Sequence, residues 1–229
     1  MTGYERYALY VLPEAGALAD WTAAWLGWDV QRGATVPHPD IPDLPATIEE
    51  MTAAPRRYGF HATVKPPFYL SDGSDPDGLD AAVSRLCSRL APVALDGLQL
   101  SRISGFLALT PLGDVTTLNA FAANTVRELD DFRAPPDAKE IARRRAGNLS
   151  AAQEANLAAW GYPYVMGEFS FHMTLTGRMP EDQGGAVQAA LQPILAPLLP
   201  QPFLIETLCL AGQDSEGMFH MLHRYHLGD

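Results

Sequence analysis

Phe60-His61-Ala62-Thr63-Val64-Lys65 in the first half of the chain is echoed by Phe171-His172-Met173-Thr174-Leu175-Thr176 in the second. In an extended strand, residues two apart share a face. The pattern therefore predicts two strands of the same design. His61, Thr63 and Lys65 point one way, and Phe60, Ala62 and Val64 the other. His172, Thr174 and Thr176 separate in the same manner from Phe171, Met173 and Leu175. A lone His-x-Thr carries little weight, because a half-buried histidine bonded to a neighbour is the ordinary case. Two copies with the same preceding Phe and the same alternation point to a shared purpose.

The flanking sequence supplies the rest of the architecture. A first strand is predicted over Tyr7 to Leu12, apolar on both faces as in a covered central strand. Leu18, Trp21 and Trp25 recur at helical spacing, with Gly27 as the stop. Asp29 to Pro45 carries four prolines and reads as a long ordered loop or lid, before a short helix over Ile48 to Ala54. The first His-x-Thr strand covers Gly59 to Val64 and meets Pro66-Pro67. Leu79, Val83, Leu86 and Leu90 mark a helix face, and Val93 to Leu100 with Ile103 to Thr110 read as two strands. Helices follow at Leu118 to Leu129, at Lys139 to Arg145, and behind the capping box Ser150-Ala-Ala-Gln153. The second motif strand covers Glu168 to Thr176, then comes a helix around Ala186 to Leu195. Phe203 to Leu210 and Met218 to Leu227 close the chain as a hairpin. Strands and helices alternate in both halves, which argues for an α+β fold with two similar lobes. If their polar strand faces oppose one another, they enclose a cleft.

The whole chain bounds the functions available. It has 229 residues, enough for one two-lobed domain over 1–229. Its formal net charge is −11, a field that disfavours long nucleic acids but not a small phosphate ester met by local cations. Cys87 and Cys209 form no metal or disulfide pattern. The opening, Met1 to Arg6, is polar and unlike a signal peptide, and no apolar run is long enough to span a bilayer. A reduced, cytoplasmic protein without a membrane partner is expected.

Two imidazoles across a cleft suit phosphodiester hydrolysis. One takes a proton from water and the other protonates the leaving oxygen, and an unperturbed pKa of about 6.5 allows either role near neutrality. Thr63, Thr174, Lys65 and Thr176 are the candidates to hold the phosphate oxygens as charge builds. No cofactor or metal is needed for that set. Residues alone do not say which histidine is the acid.

The longer strings Arg57-Tyr58-Gly59-Phe60-His61-Ala62-Thr63-Val64-Lys65-Pro66-Pro67-Phe68 and Phe171-His172-Met173-Thr174-Leu175-Thr176-Gly177 resemble the 2H, or two-histidine, phosphoesterase superfamily. They look like its branch associated with bacterial phosphonate-degradation operons. Arg6-Tyr7-Ala8-Leu9-Tyr10, Trp160-Gly161-Tyr162-Pro163-Tyr164 and Leu222-His223-Arg224-Tyr225 also fit, so the resemblance spans most of the chain. It implies a bilobal, pseudo-symmetric fold of two antiparallel sheets backed by helices, with a central cleft. It also implies hydrolysis of a small cyclic phosphate, such as 5-phosphoribosyl 1,2-cyclic phosphate. The second motif departs from symmetry, with Thr176 where the first has Lys65.

A second phosphate on the substrate would need another cation. Arg56 and Arg57 enter the first motif strand beside Tyr58, and Arg143 and Arg224 are further candidates. Arg143-Arg144-Arg145 reads rather as a solvated helix face, from which at most one or two could aim at one ligand. His220, His223 and His226 recur every third residue, but on a strand that spacing alternates faces, so hairpin histidines are favoured over a metal site. Two other functions stay open: a 2′,3′-cyclic nucleotide or RNA-end phosphodiesterase, and a phosphosugar-binding or regulatory protein without turnover.

Overall fold

Strand β1 (Arg6–Val11) separates two apolar clusters. Tyr7, Leu9 and Val11 join the main core, while Ala8, Tyr10 and Leu12 belong to a smaller cluster on the other face. This alternation fits a central strand covered on both sides. The computed structural model describes residues 3–228, so Met1 and Thr2 of the polar opening lie outside the described residues.

Helix α1 (Ala17–Leu26) ends at Gly27, whose φ of 77° suits a residue without a Cβ. The proline-rich stretch holds a small hairpin, β2 (Trp28–Asp29) and β3 (Ala34–Thr35). A capping box of Thr47 and Glu50 starts α2 (Ile48–Arg56), which leads into β4 (Ala62–Phe68). Asp75 caps α3 (Pro76–Cys87), followed by β5 (Val93–Leu95), β6 (Gly97–Ile103) and β7 (Phe106–Leu112). Then come α4 (Thr116–Glu128), α5 (Ala138–Arg145), and α6 (Ala151–Trp160) with the expected Ser150–Gln153 box. The chain finishes with β8 (Met173–Thr174), α7 (Glu181–Leu195), β9 (Phe203–Ile205), β10 (Thr207–Gln213) and β11 (Phe219–His226).

The fold is α+β and antiparallel throughout. The main sheet has the order β11-β10-β1-β4-β8-β7-β6. Its two halves, β11-β10-β1-β4 and β8-β7-β6, meet at one residue pair, Ala62 with Met173. The lobes are therefore not the two halves of the sequence. The closing hairpin β10–β11 pairs with β1, so the first lobe is built from both ends of the chain. Apolar residues of α3, α4 and α7 pack into the main core with Phe60, Ala62, Val64, Phe171, Met173 and Leu175. The opposite face is left to the histidines.

Both motif strands depart from their expected bounds. β4 begins after His61 and runs through Pro66-Pro67. Its pairing with β8 is confined to Ala62, so beyond that point β4 is an edge, where residues lacking an N–H are tolerated. The expected strand at Glu168 to Thr176 shrinks to two residues, preceded by a 3-10 turn at Met166–Glu168. The ladder ends because the Leu175 and Thr176 N–H groups both turn to one acceptor, the Leu107 carbonyl. Each histidine thus stands one residue ahead of its strand. The expected strands at Val93 to Leu100 and Phe203 to Leu210 are each split, and their first pieces, β5 and β9, pair with each other outside the main sheet.

Candidate active site

The two histidines are held by the same device. His61 Nδ1 lies 2.9 Å from the Gly59 carbonyl, and His172 Nδ1 lies 2.8 Å from the Ser170 carbonyl, in each case two residues back. A carbonyl oxygen only accepts, so Nδ1 carries the proton and Nε2 is the nitrogen free for chemistry. Gly59 makes the first turn possible. Its φ is +69°, and a Cβ there would sit 2.4 Å from Val30 Cβ. His61 Nε2 receives the Thr63 hydroxyl at 2.9 Å. The Tyr10 ring covers the imidazole, with centroids 3.8 Å apart. Burial pushes the His61 pKa down to about 4, against a smaller upward push from its bond to Gly59. His61 is therefore a neutral imidazole near pH 7. His172 is more open, its ring centroid 5.7 Å from that of Phe106.

Pairing of Ala62 with Met173 crosses the motifs. Continuing that antiparallel register one residue each way sets His61 opposite Thr174 and Thr63 opposite His172. Two hollows open beside this seam. One, of about 270 Å³, is walled by Pro55, Phe106, Thr176 and Arg178. The other, of about 330 Å³, is walled by Arg6, Tyr10, Arg57, Thr63, Arg143, Arg144 and Tyr162. Tyr58, His61 and Thr174 line both, so the hollows form one cleft. The larger hollow has four arginines and no carboxylate in its lining. Glu140, just outside the lining, pairs with Arg143 and Arg144, so four guanidiniums meet one carboxylate and the field stays locally positive in a chain whose net charge is −11. Trp25 anchors the second motif from within the main core, donating its indole N–H to the Leu175 carbonyl at 2.8 Å.

Four expected site residues have their polar atoms committed elsewhere, although Thr176 still borders the smaller hollow. Lys65 is 2% exposed, and its Nζ donates to Asp130 and to the Val126 carbonyl. The cause is a bulge in β4: Tyr10 faces Thr63, but the next residue, Leu9, faces Lys65. One extra residue reverses the alternation and turns Lys65 away from the cleft. Thr176 is buried, and its hydroxyl oxygen accepts the Leu107 N–H at 2.9 Å, taking a place in the sheet ladder. Arg56 ties α2 to α1 through the Leu26 carbonyl, the Glu49 carbonyl and Thr52. Arg224 is held by Glu14, Thr207, Gln31 and the Pro13 carbonyl, and lines neither hollow.

Tyr58, Arg57 and Arg143 do reach the cleft, with Thr63 and Thr174. His172 lines neither hollow, but its ring is next to Phe106, which walls the smaller one. Residues that the sequence reading passed over are Arg6, Tyr10, Arg144 and Tyr162. Of the triple arginine, Arg143 and Arg144 both border the hollow, and Arg144 is the more buried, held by Glu140 one turn earlier and by the Tyr162 ring beneath it. His220 and His223 bond to Asp214 and Asp80 respectively. Among the described residues no three His, Cys, Asp or Glu side chains converge as a ligand set, and no helix is long and apolar enough to cross a membrane.

Known proteins extend these observations. A protein of Janthinobacterium sp. (strain Marseille) named ribose 1,5-bisphosphate phosphokinase PhnN is 34% identical over 218 residues, 93% of this chain and 48% of that protein. A protein of Laribacter hongkongensis (strain HLHK9) with the same name is 33% identical over 177 residues, 77% of this chain and 41% of its own length. The chain thus spans about half the length of these curated relatives or less. The solved structure of E. coli LigT complexed with 3′-AMP aligns with 98% of this chain and 99% of its own, at 15% identity and a TM-score of 0.45. A family model described as "Protein of unknown function (DUF1045)" matches residues 63–220, from the first motif threonine to the last hairpin, and the chain belongs to that family.

Proposed function

We propose that this protein is a phosphodiesterase of the two-histidine type acting on a small cyclic phosphate. The observation that carries the reading is the pair of identically locked imidazoles beside a hollow lined by arginines and free of carboxylates. Neutral His61 suits the general base: its Nε2 takes a proton from the attacking water. His172 then gives a proton to the departing oxygen. When substrate binds, the Thr63 hydroxyl turns from His61 Nε2 to the phosphate, which frees that nitrogen, and Thr63 and Thr174 donate to the non-bridging oxygens. A cavity of about 330 Å³ is at the small end for ligand sites, which favours a phosphosugar over an oligonucleotide.

The relatives' names support a particular substrate. Those proteins are named for phosphorylating ribose 1,5-bisphosphate. Water attack on 5-phosphoribosyl 1,2-cyclic phosphate, with the 2-oxygen leaving and taking a proton, produces ribose 1,5-bisphosphate. The segment matched here would then supply what the remainder of those longer proteins consumes.

The test is a panel of cyclic phosphates followed by phosphorus NMR, with the His61→Ala/His172→Ala double variant as control. The phosphoribosyl cyclic phosphate should be opened to the 1-phosphate faster than 2′,3′-cyclic nucleotides, and exhaustive EDTA treatment should leave the rate unchanged. Preference for the nucleotides would replace the substrate. No turnover of any member would leave a phosphosugar-binding protein.

A further inference from the structure

Among the described residues, two buried side-chain polar atoms have no hydrogen-bond partner: the Tyr10 hydroxyl and Arg144 Nε. Both residues line the same hollow, the one that holds His61 and Thr63. Buried polar groups without partners are rare and cost stability, so two in one cavity call for a physical cause. Their chemistry agrees. A guanidinium Nε can only donate, and a phenol donates readily. Two unpartnered donors on residues that border one hollow would be satisfied together by an acceptor-rich anion.

Each donor is held in place. Tyr10 is 0% exposed on β1, ringed by His61 and Phe219. Arg144 is fixed by Glu140 at 3.1 Å and lies 4.4 Å over the Tyr162 ring. Burial holds the Tyr10 pKa well above the usual phenol value, so it keeps its proton to donate. Arg6, whose Nε is bonded to Gln213, adds positive charge to the same wall.

We propose that Tyr10 and Arg144 form a second anion subsite, which holds a phosphate monoester on the substrate away from the bond that is cut. This rests on the phosphodiesterase reading and deepens it, since it assigns the substrate class to sugars bearing two phosphates. Thr63 and Thr174 hold the reacting phosphate at the seam, and the α5 wall selects for the other.

The test separates the subsite from the chemistry. Ribose 5-phosphate is titrated by calorimetry into wild type, Tyr10→Phe, Arg144→Lys and a control, Arg89→Ala, whose arginine pairs with Glu128 on the surface. Tyr10→Phe and Arg144→Lys should each weaken binding roughly tenfold or more, as expected for a lost hydrogen bond to a charged group, and the control should not. Tyr10→Phe should leave the melting temperature of the free protein unchanged or higher, because the deleted hydroxyl has no partner in the fold. Undiminished binding in both variants, no binding by wild type, or weaker binding with a lowered melting temperature in Tyr10→Phe would overturn the subsite. Catalysis is read separately. Loss of binding in the variants of a protein that opens no cyclic phosphate keeps the subsite and removes the phosphodiesterase reading. Turnover with unaltered ribose 5-phosphate binding in the variants removes the subsite alone.

Discussion

Tyr10 lies over His61 with ring centroids 3.8 Å apart and planes inclined by 31°. The phenol ring keeps water from one face of the imidazole, and burial depresses the His61 pKa to about 4. In the window between about 4 and the unfolded value near 6.5, the unfolded chain binds a proton that the folded site refuses. This group's contribution to stability is therefore lost as pH falls through that window. The same ordering governs catalysis by the base form. The acid limb of kcat/KM assigned to His61 is expected well below pH 6.5, and a pH–rate profile on the free enzyme measures it. A limb at 6.5 or above would show that burial by Tyr10 does not set the state of the base.

Removing either imidazole should remove the chemistry and spare the fold. His61→Ala and His172→Ala are each expected to lower turnover by about 10²–10⁴-fold, the range for loss of a general acid or base. Steady-state kinetics and circular dichroism on the two variants check this. Near wild-type turnover in either would end the two-histidine mechanism.

Lys65 should behave as a structural residue although it sits two places from Thr63. Its ammonium, buried and pushed down to about 8, bonds Asp130, which Arg133 also holds with two hydrogen bonds. Lys65→Met is expected to cost roughly 1–3 kcal/mol of stability, softened because Asp130 keeps Arg133. KM should change by less than about threefold, well under the factor of a lost charge-assisted contact. Denaturant titration and kinetics on one preparation decide between the roles. A large KM effect without destabilisation would return Lys65 to the substrate.

Gly59→Ala probes the lock on His61. The left-handed backbone and the approach to Val30 both penalise a Cβ at this position. The variant is expected to lose roughly 1–3 kcal/mol, as for strained backbone, and to lose kcat more than KM as the carbonyl that orients the imidazole shifts. Unchanged stability and turnover would show that the turn at Gly59 is not needed.

Much of this site could be read from a period of two. Phe60, Ala62, Phe171 and Met173 entered the core, and His61, Thr63, His172 and Thr174 the opposite face, because unbroken alternation has one physical meaning. The reading failed where alternation broke. No residue pattern announces the bulge that turns Lys65, or the carbonyl of Leu107 that gathers two N–H groups and ends the ladder before Thr176. Tyr10 was hidden by its strand being apolar on both faces, so no polar stripe marked the cleft side. Arg224 sits on the hairpin that pairs with β1, a contact between distant segments that local spacing cannot forecast, and there its donors are spent on Glu14, Thr207 and Gln31.

The sheet order also dictates a sequence of events during synthesis. β1 is synthesised well before one of its two neighbours, β10, which spans Thr207–Gln213. Until those residues emerge, β1 presents an unpaired apolar edge, the kind of surface that invites wrong partners. Both His-x-Thr motifs are already made by then. A chain stopped near residue 200 would contain every residue of the paired motifs and lack the strand that pairs with β1 beside Tyr10. The nascent protein carries both motifs before it can assemble the cleft between them.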